Sequence, residues 1–531
     1  MSVNHETGAK QEKEALPTQE VAVMDEEEEK LRTVRGAVPL NVWLINVVIF
    51  LERASFYGVS APFQNYVQNP PNNPTRPGAL GLGQTVAVAC SYAFLFTNYL
   101  TPIMGAVLAD CWLGRFQVIQ IGFGLDLVAL SILFGTAYSQ EVHGTGGLAG
   151  FILTMVLLGL GVGCTRPNLV TFVTDQYTVE EGRIITLKSG EKVMTSREMT
   201  IEYIYNVNYW MTNVGGLAGI ITTFVEKTAG FRFAFLVPLC SVSVSAAVLM
   251  GGRKRYVHNP PSGNVLPKAL KALIYRKPIQ TSPEVAGQPA TSSSTTPTIS
   301  PAELKAVFKS CWVFIPFPAL VLCIDLMGNN LVAQAGQMQT HGLPNDIMWN
   351  LNPISVMILL PCIQGGLVPF LSKRRIRFTP YHRIIIGLFC AAIAIGYTAG
   401  LQHIIYRSGP CFDHPLTCLP NLPAGPNHVN VGLQTPVYIF LALAEIFAIV
   451  AATELAYTQT PKSMKSIVQA IFILSGSLGS LMGIGLSFAS RDPFMVAVYA
   501  SVSGFMGVVA CVFAVYALRF VKGRDVVEER S

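Results

Sequence analysis

Charge is what this 531-residue chain has least of. Lysine, arginine, aspartate and glutamate together make up 13% of it, where soluble domains carry about 25%. Hydrophobic residues make up 51% and mean hydropathy is +0.44, which excludes an ordinary soluble globule. Catalytic signatures are missing too: no Ser-His-Asp set, metal-ligand spacing or phosphate-binding loop is legible. The chain therefore reads as no enzyme, with no metal and no cofactor. The alternation of a membrane β-barrel is absent as well, which leaves helices as the spanning structure. Residues 1–35 are polar and charged, so no signal peptide is expected. Their run Asp25-Glu26-Glu27-Glu28-Glu29 reads as a solvated, disordered tail, with a regulatory tail as the alternative.

What the chain has instead is long apolar runs. Twelve are centred near Ile49, Phe96, Asp126, Leu158, Gly215, Val242, Leu320, Ile358, Ala391, Ala444, Leu478 and Gly507, each able to cross a ~30 Å hydrocarbon core as helix. With that topology, the even-numbered connections hold 21 lysines and arginines, and the odd-numbered ones hold five. The asymmetry predicts both termini in the cytoplasm. It also accounts for the net charge of +6 without nucleic acid. Arg253-Lys254-Arg255 and Lys373-Arg374-Arg375 sit where anionic lipid headgroups can engage them. Cys411 and Cys418 bracket a loop placed outside, where a disulfide is permitted; a metal site with His414 is the weaker alternative.

Six spans, a polar segment and six more predict two six-helix halves. The expected boundaries are 1–37 disordered cytoplasmic tail, 38–251 first half, 252–302 cytoplasmic linker, 303–520 second half and 521–531 cytoplasmic tail. The linker holds Pro260-Pro261 and a Ser/Thr-rich run from Thr291, and it cannot bury a core. Two such halves with a site between them at mid-membrane describe an all-α membrane protein of major-facilitator architecture. The loop Gly105-Ala106-Val107-Leu108-Ala109-Asp110-Cys111-Trp112-Leu113-Gly114-Arg115 resembles that superfamily's Gly-x-x-x-Asp-x-x-x-Gly-Arg pattern. A small residue at 105 allows close helix approach, and Asp110 and Arg115 are expected to form gate ion pairs that break as the halves rock.

Of 37 lysines and arginines, only Arg53 and Arg166 lie inside spans. A cation there costs roughly 2.5–3.5 kcal/mol and demands a partner or a wet cavity. Arg53 stands in Glu52-Arg53-Ala54-Ser55-Phe56-Tyr57-Gly58, which resembles the first-helix signature of the proton-dependent oligopeptide transporters, Glu-x-x-Glu-Arg-Phe-x-Tyr-Tyr-Gly. Asn208-Tyr209-Trp210-Met211-Thr212-Asn213-Val214-Gly215-Gly216-Leu217 is similar to their fifth-helix signature. Asn329-Asn330-Leu331, Leu351-Asn352-Pro353, Pro461-Lys462-Ser463-Met464-Lys465 and Thr186-Leu187-Lys188-Ser189-Gly190-Glu191 look like the family's fungal branch. Three positions depart from the pattern. Ile49 replaces the first glutamate, Phe56 replaces the first tyrosine, and Arg166 replaces a fourth-helix lysine that pairs with that glutamate. Arginine does not release its proton in a protein, so coupling on the first and fourth helices is expected to be altered.

The resemblance implies a site for di- and tripeptides or peptide-like molecules. Arg53 and Arg166 would take the carboxylate by bidentate hydrogen bonds, and Glu445 the amino group. Asn213 and Asn352 would be the polar partners, with Tyr57 and Tyr99 supplying rings and hydroxyls. Asp325 matches the position of a family acid, and Glu52 and Asp325 are the candidate proton carriers. Glu454 reads as a gate ion pair or a substrate contact, and Asp126 as a buried, partnered acid. The expected function is alternating-access transport by a monomer in the plasma membrane, with protons as co-substrate to whatever extent coupling survives. A specialised transporter of a natural product and a peptide-sensing receptor without flux are the rival readings.

Overall fold

The computed structural model describes residues 33–71, 76–137, 145–179, 184–186, 192–261, 279–280, 298–299, 311–374, 378–415, 425–458 and 465–528. Among the described residues twelve helical spans are present. The first half contains Leu40–Ser60, Gly83–Leu108, Arg115–Thr136, Thr145–Asp175, a fifth span broken into Arg197–Gly216 and Ala218–Ala229, and Phe231–Gly251. The second half opens with a seventh span in pieces, Phe317–Asp325 and Asn330–Gly336. Leu351–Cys362, Pro380–Arg407, a tenth span beginning with Thr435–Ala444, Lys465–Ser487 and Met495–Glu528 follow. Among the described residues eleven helices are apolar and long enough to cross a membrane. The fifth span falls short because its first segment carries Glu198, Glu202, Asn206, Asn208 and Asn213. Helices suit these runs because no water is available in hydrocarbon to satisfy a bare backbone.

Each half buries its own core. One cluster joins residues from Val42 to Tyr256, and a second runs from Cys311 to Ala517 and takes in Val88 and Tyr92 of the second span. The halves meet where the second span lies along the eleventh. There a methyl group added at Gly483 would fall 2.2 Å from the Tyr92 ring. Gly105 plays the expected part within the first half, since a Cβ there would sit 2.0 Å from the Gly163 carbonyl oxygen of the fourth span.

Chain alternation puts both termini on one face, here the terminal face, and the loops after odd-numbered spans on the other, the far face. On the terminal face the expected tail boundaries move. Thr33–Arg35 is a strand, parallel to Lys192–Ser196, which also pairs antiparallel with Ile184–Thr186. Gly36 donates to Thr200 Oγ1 at 2.9 Å, and the Arg35 guanidinium lies 4.2 Å from the Tyr203 ring centre. Backbone pairing over more than 150 residues leaves no trace in local polarity, which is why 33–37 read as tail. At the other end the twelfth span continues as helix to Glu528, past the expected limit at 520, because a helix need not stop where the hydrocarbon does. Within the linker, Ile279–Gln280 pairs with Thr298–Ile299. Residues 1–32 and the 291–297 portion of the Ser/Thr run lie outside the described residues. Cys411 is disulfide-bonded; its expected partner, Cys418, also lies outside them.

Candidate functional site

A cavity of about 1160 Å³ lies between the halves, running from Ser60 and Asn350 deep inside to Asp110 and Arg115 at the terminal face. On the far side it is closed. Asn65 and Asn345 exchange two amide hydrogen bonds of 2.9 Å across the halves. Lys227 Nζ donates to the carbonyl oxygens of Gly342 and Leu343 at 2.6 and 3.3 Å.

Helix irregularities set the second half's acids. The tenth span changes to a π-helix over Glu445–Val450, so Glu445 stands where the winding alters; such segments recur at functional sites. Asn352, in the first turn of Leu351–Cys362, donates to Glu445 Oε1 at 2.9 Å. Asp325 closes Phe317–Asp325, just before a 3₁₀ turn over Leu326–Gly328. It accepts from Ser480 Oγ at 2.8 Å and from Tyr99 of the other half at 3.3 Å. Tyr57 meets Trp349 edge-on at 5.9 Å between ring centres, again across the halves. Asn213 lines the cavity with its amide donating to the Tyr209 carbonyl.

The two embedded arginines part company. Arg166 lines the cavity, and no salt bridge to it is found among the described residues. Arg53 does not line it. Its Nε and Nη2 donate to the two carboxylate oxygens of Glu52, and both side chains are buried. Thr165 Oγ1 adds a 3.4 Å bond to Glu52. Both guanidinium groups lie over the Phe56 ring, at 5.2 and 5.5 Å from its centre, within cation–π range. The expectation that Arg53 and Arg166 jointly face a carboxylate therefore needs revision: neighbour exchange with Glu52 satisfies Arg53 first.

The expected gate pair is local to the first half. Arg115 lies 3.8 Å from Asp110 but closer to Asp175 of the fourth span, so both contacts tie helices of one half. Glu454 pairs with Arg383 at 3.2 Å within the second half, which is the gate-side reading of that residue without a crossing between halves. Asp126 is buried with Oδ1 lacking a hydrogen-bond partner, and it interacts electrostatically with Glu52 and Arg53. Sequence reasoning missed Trp349 and Ser480, which carry no motif. It also missed Glu226 and Asp346 near the far-side seal, although both are acids at the ends of apolar runs.

Comparisons with known proteins bear on this arrangement. A model of the POT family, PTR2, matches residues 116–496. Peptide transporter PTR_C of Candidozyma auris is 37% identical over 511 residues, spanning 94% of this chain and 86% of its own. Peptide transporter PTR2 of Saccharomyces cerevisiae is 32% identical over 520 residues, spanning 96% and 83%. Among solved structures, the POT family transporter PepTSo superposes with a TM-score of 0.72 over 92% of this chain and 99% of its own. At 19% identity, that likeness speaks for the fold.

Proposed function

The chain belongs to the POT family, and on that premise we propose that it is a secondary transporter of di- and tripeptides or peptide-like molecules. The observation that carries this reading is the placement of opposite charges on opposite walls of one cavity. Arg166 belongs to the first half, while Glu445 and Asn352 belong to the second. A small zwitterion laid across the cavity puts its carboxylate at Arg166, where the guanidinium fork offers bidentate bonds. Its amino group reaches Glu445, and Asn213 and Asn352 serve the amide between. Binding then bridges the halves, which couples occupancy to their relative rotation.

Glu52 stays with Arg53 as a buried pair that shapes the first span behind Phe56. Asp325, held by Tyr99 from one half and Ser480 from the other, is the acid placed to trade a proton as the halves move. The protein works as a monomer in the plasma membrane, with the terminal face in the cytoplasm. Saturable dipeptide counterflow in proteoliposomes is the test. Binding without exchange would instead make the protein a receptor, and exchange of non-peptide solutes alone would make it a specialised carrier.

A further inference from the structure

Glu226 stands in the last turn of the fifth span's second segment, and Asp346 in the 3₁₀ turn Asn345–Asn350 that leads into the eighth. They come from different halves, are 2% and 1% exposed, and act on each other electrostatically, with Asn65 bonded both to Glu226 and to Asn345, the neighbour of Asp346. Glu226 Oε1 accepts from Asn65 Nδ2 at 3.1 Å. Glu226 Oε2 and Asp346 Oδ2 meet no N–H or hydroxyl donor. Among the described residues neither carboxyl has an ion-pair partner. Lys227 is the cation that acts on Asp346, from the same segment as Glu226, but its ammonium is spent on the Gly342 and Leu343 carbonyls. Arg76 lies beside Gly336, next to Asn345. Among the described residues the far-face segments also carry Tyr66, Arg232, His341, Tyr406, His428, Arg491 and Asp492, the last acting on Arg76.

Two carboxylates cannot touch in a buried site while both are ionised. At ~4 Å the repulsion is about 4 kcal/mol even with an effective dielectric of 20. A proton shared by the two carboxyls removes the repulsion. We infer that Glu226 and Asp346 form a proton-binding site whose single shared proton latches the far face shut.

The proton's path follows from the geometry. Closing the far face brings the two carboxyls together and takes one proton from the water on that face. Opening parts them, and a solvated carboxyl, titrating near ~4, returns it to the same side. This proton is bound and released but not carried across, which sets it apart from any proton moved with substrate. Acidity on the far face therefore favours the state whose cavity opens to the terminal face, by linkage between proton binding and conformation. The inference uses the alternating-access reading only for what opening means.

The test needs no substrate, so it can fail independently of transport. Full-length protein in nanodiscs would carry spin labels on the far-face ends of the second and eighth spans, and their separation would be followed with pH. The closed-to-open ratio should rise by up to about tenfold for each pH unit of acidification, and it should lose that dependence in Glu226→Gln, whose amide can bridge to Asp346 unprotonated. Asp346→Asn should behave the same way. A C=O infrared band of a protonated carboxylic acid should mark the closed wild-type state and vanish in Glu226→Gln. Unchanged pH dependence in both variants would overturn the assignment. So would closure that follows sodium concentration at constant pH, since the pair would then hold a metal cation.

Discussion

Arg53 and Arg166 have the same side chain and face different fates, which separates their predicted phenotypes. Arg166→Ala should weaken binding of a free-carboxylate dipeptide at least tenfold more than that of its amide, because a charge-assisted bidentate contact is worth more than ~1.4 kcal/mol. Isothermal titration with the two ligands decides this; equal losses would remove Arg166 from the carboxylate subsite. Arg53→Ala leaves Glu52 charged and unpaired in a buried site, a loss of about 3–5 kcal/mol. Its main effect should be a lower melting temperature in detergent, with ligand preference preserved in the surviving fraction. Ile49 has no proton to give, so uptake should depend weakly on an imposed pH gradient, and Asp325→Asn should remove most of that dependence. Ile49→Glu with Arg166→Lys should strengthen it. Strong proton-driven accumulation that survives Asp325→Asn would shift the role to Glu52.

The spans themselves were legible because hydrocarbon imposes length and apolarity on each. Even the fifth, whose first segment is polar, is centred near Gly215 as its apolar run predicts. Interruptions inside spans were not legible. Nothing in Ala444-Glu445-Ile446-Phe447-Ala448 marks a change of winding, yet a π segment begins at Glu445. The break after Asp325 had a weak local signal in Gly328 and Asn329, while the Arg53–Glu52 exchange depends on which rotamers pack and left none. A π segment holds one residue more than the α-helix it interrupts, so removing Ala448 should restore α winding and swing Glu445 about 100° relative to the rest of the span. Dipeptide binding should then be lost while the protein still inserts and the Arg383–Glu454 tie persists. Binding that survives the deletion would show that the winding does not position Glu445.

At the scale of the whole molecule, two separately cored halves are held at the far face by short polar contacts and stand apart around the cavity toward the terminal face. Replacing the facing amides, Asn65→Cys with Asn345→Cys, should allow an oxidative cross-link that stops counterflow, leaves ligand binding in detergent intact and is reversed by reductant. Undiminished flux in the cross-linked protein would mean that this face does not open during transport. The strand at Thr33–Arg35 fastens the front of the chain to the first half, and the helix reaching Glu528 carries the back of the chain away from the second. The two ends of one polypeptide are thus pointers mounted on the two moving bodies, both reading out on the same face. Dyes attached enzymatically at Thr33, after removal of 1–32, and beyond Glu528 would form a built-in ruler for the rocking motion, and none of the nine free cysteines among the described residues would need to be replaced to use it.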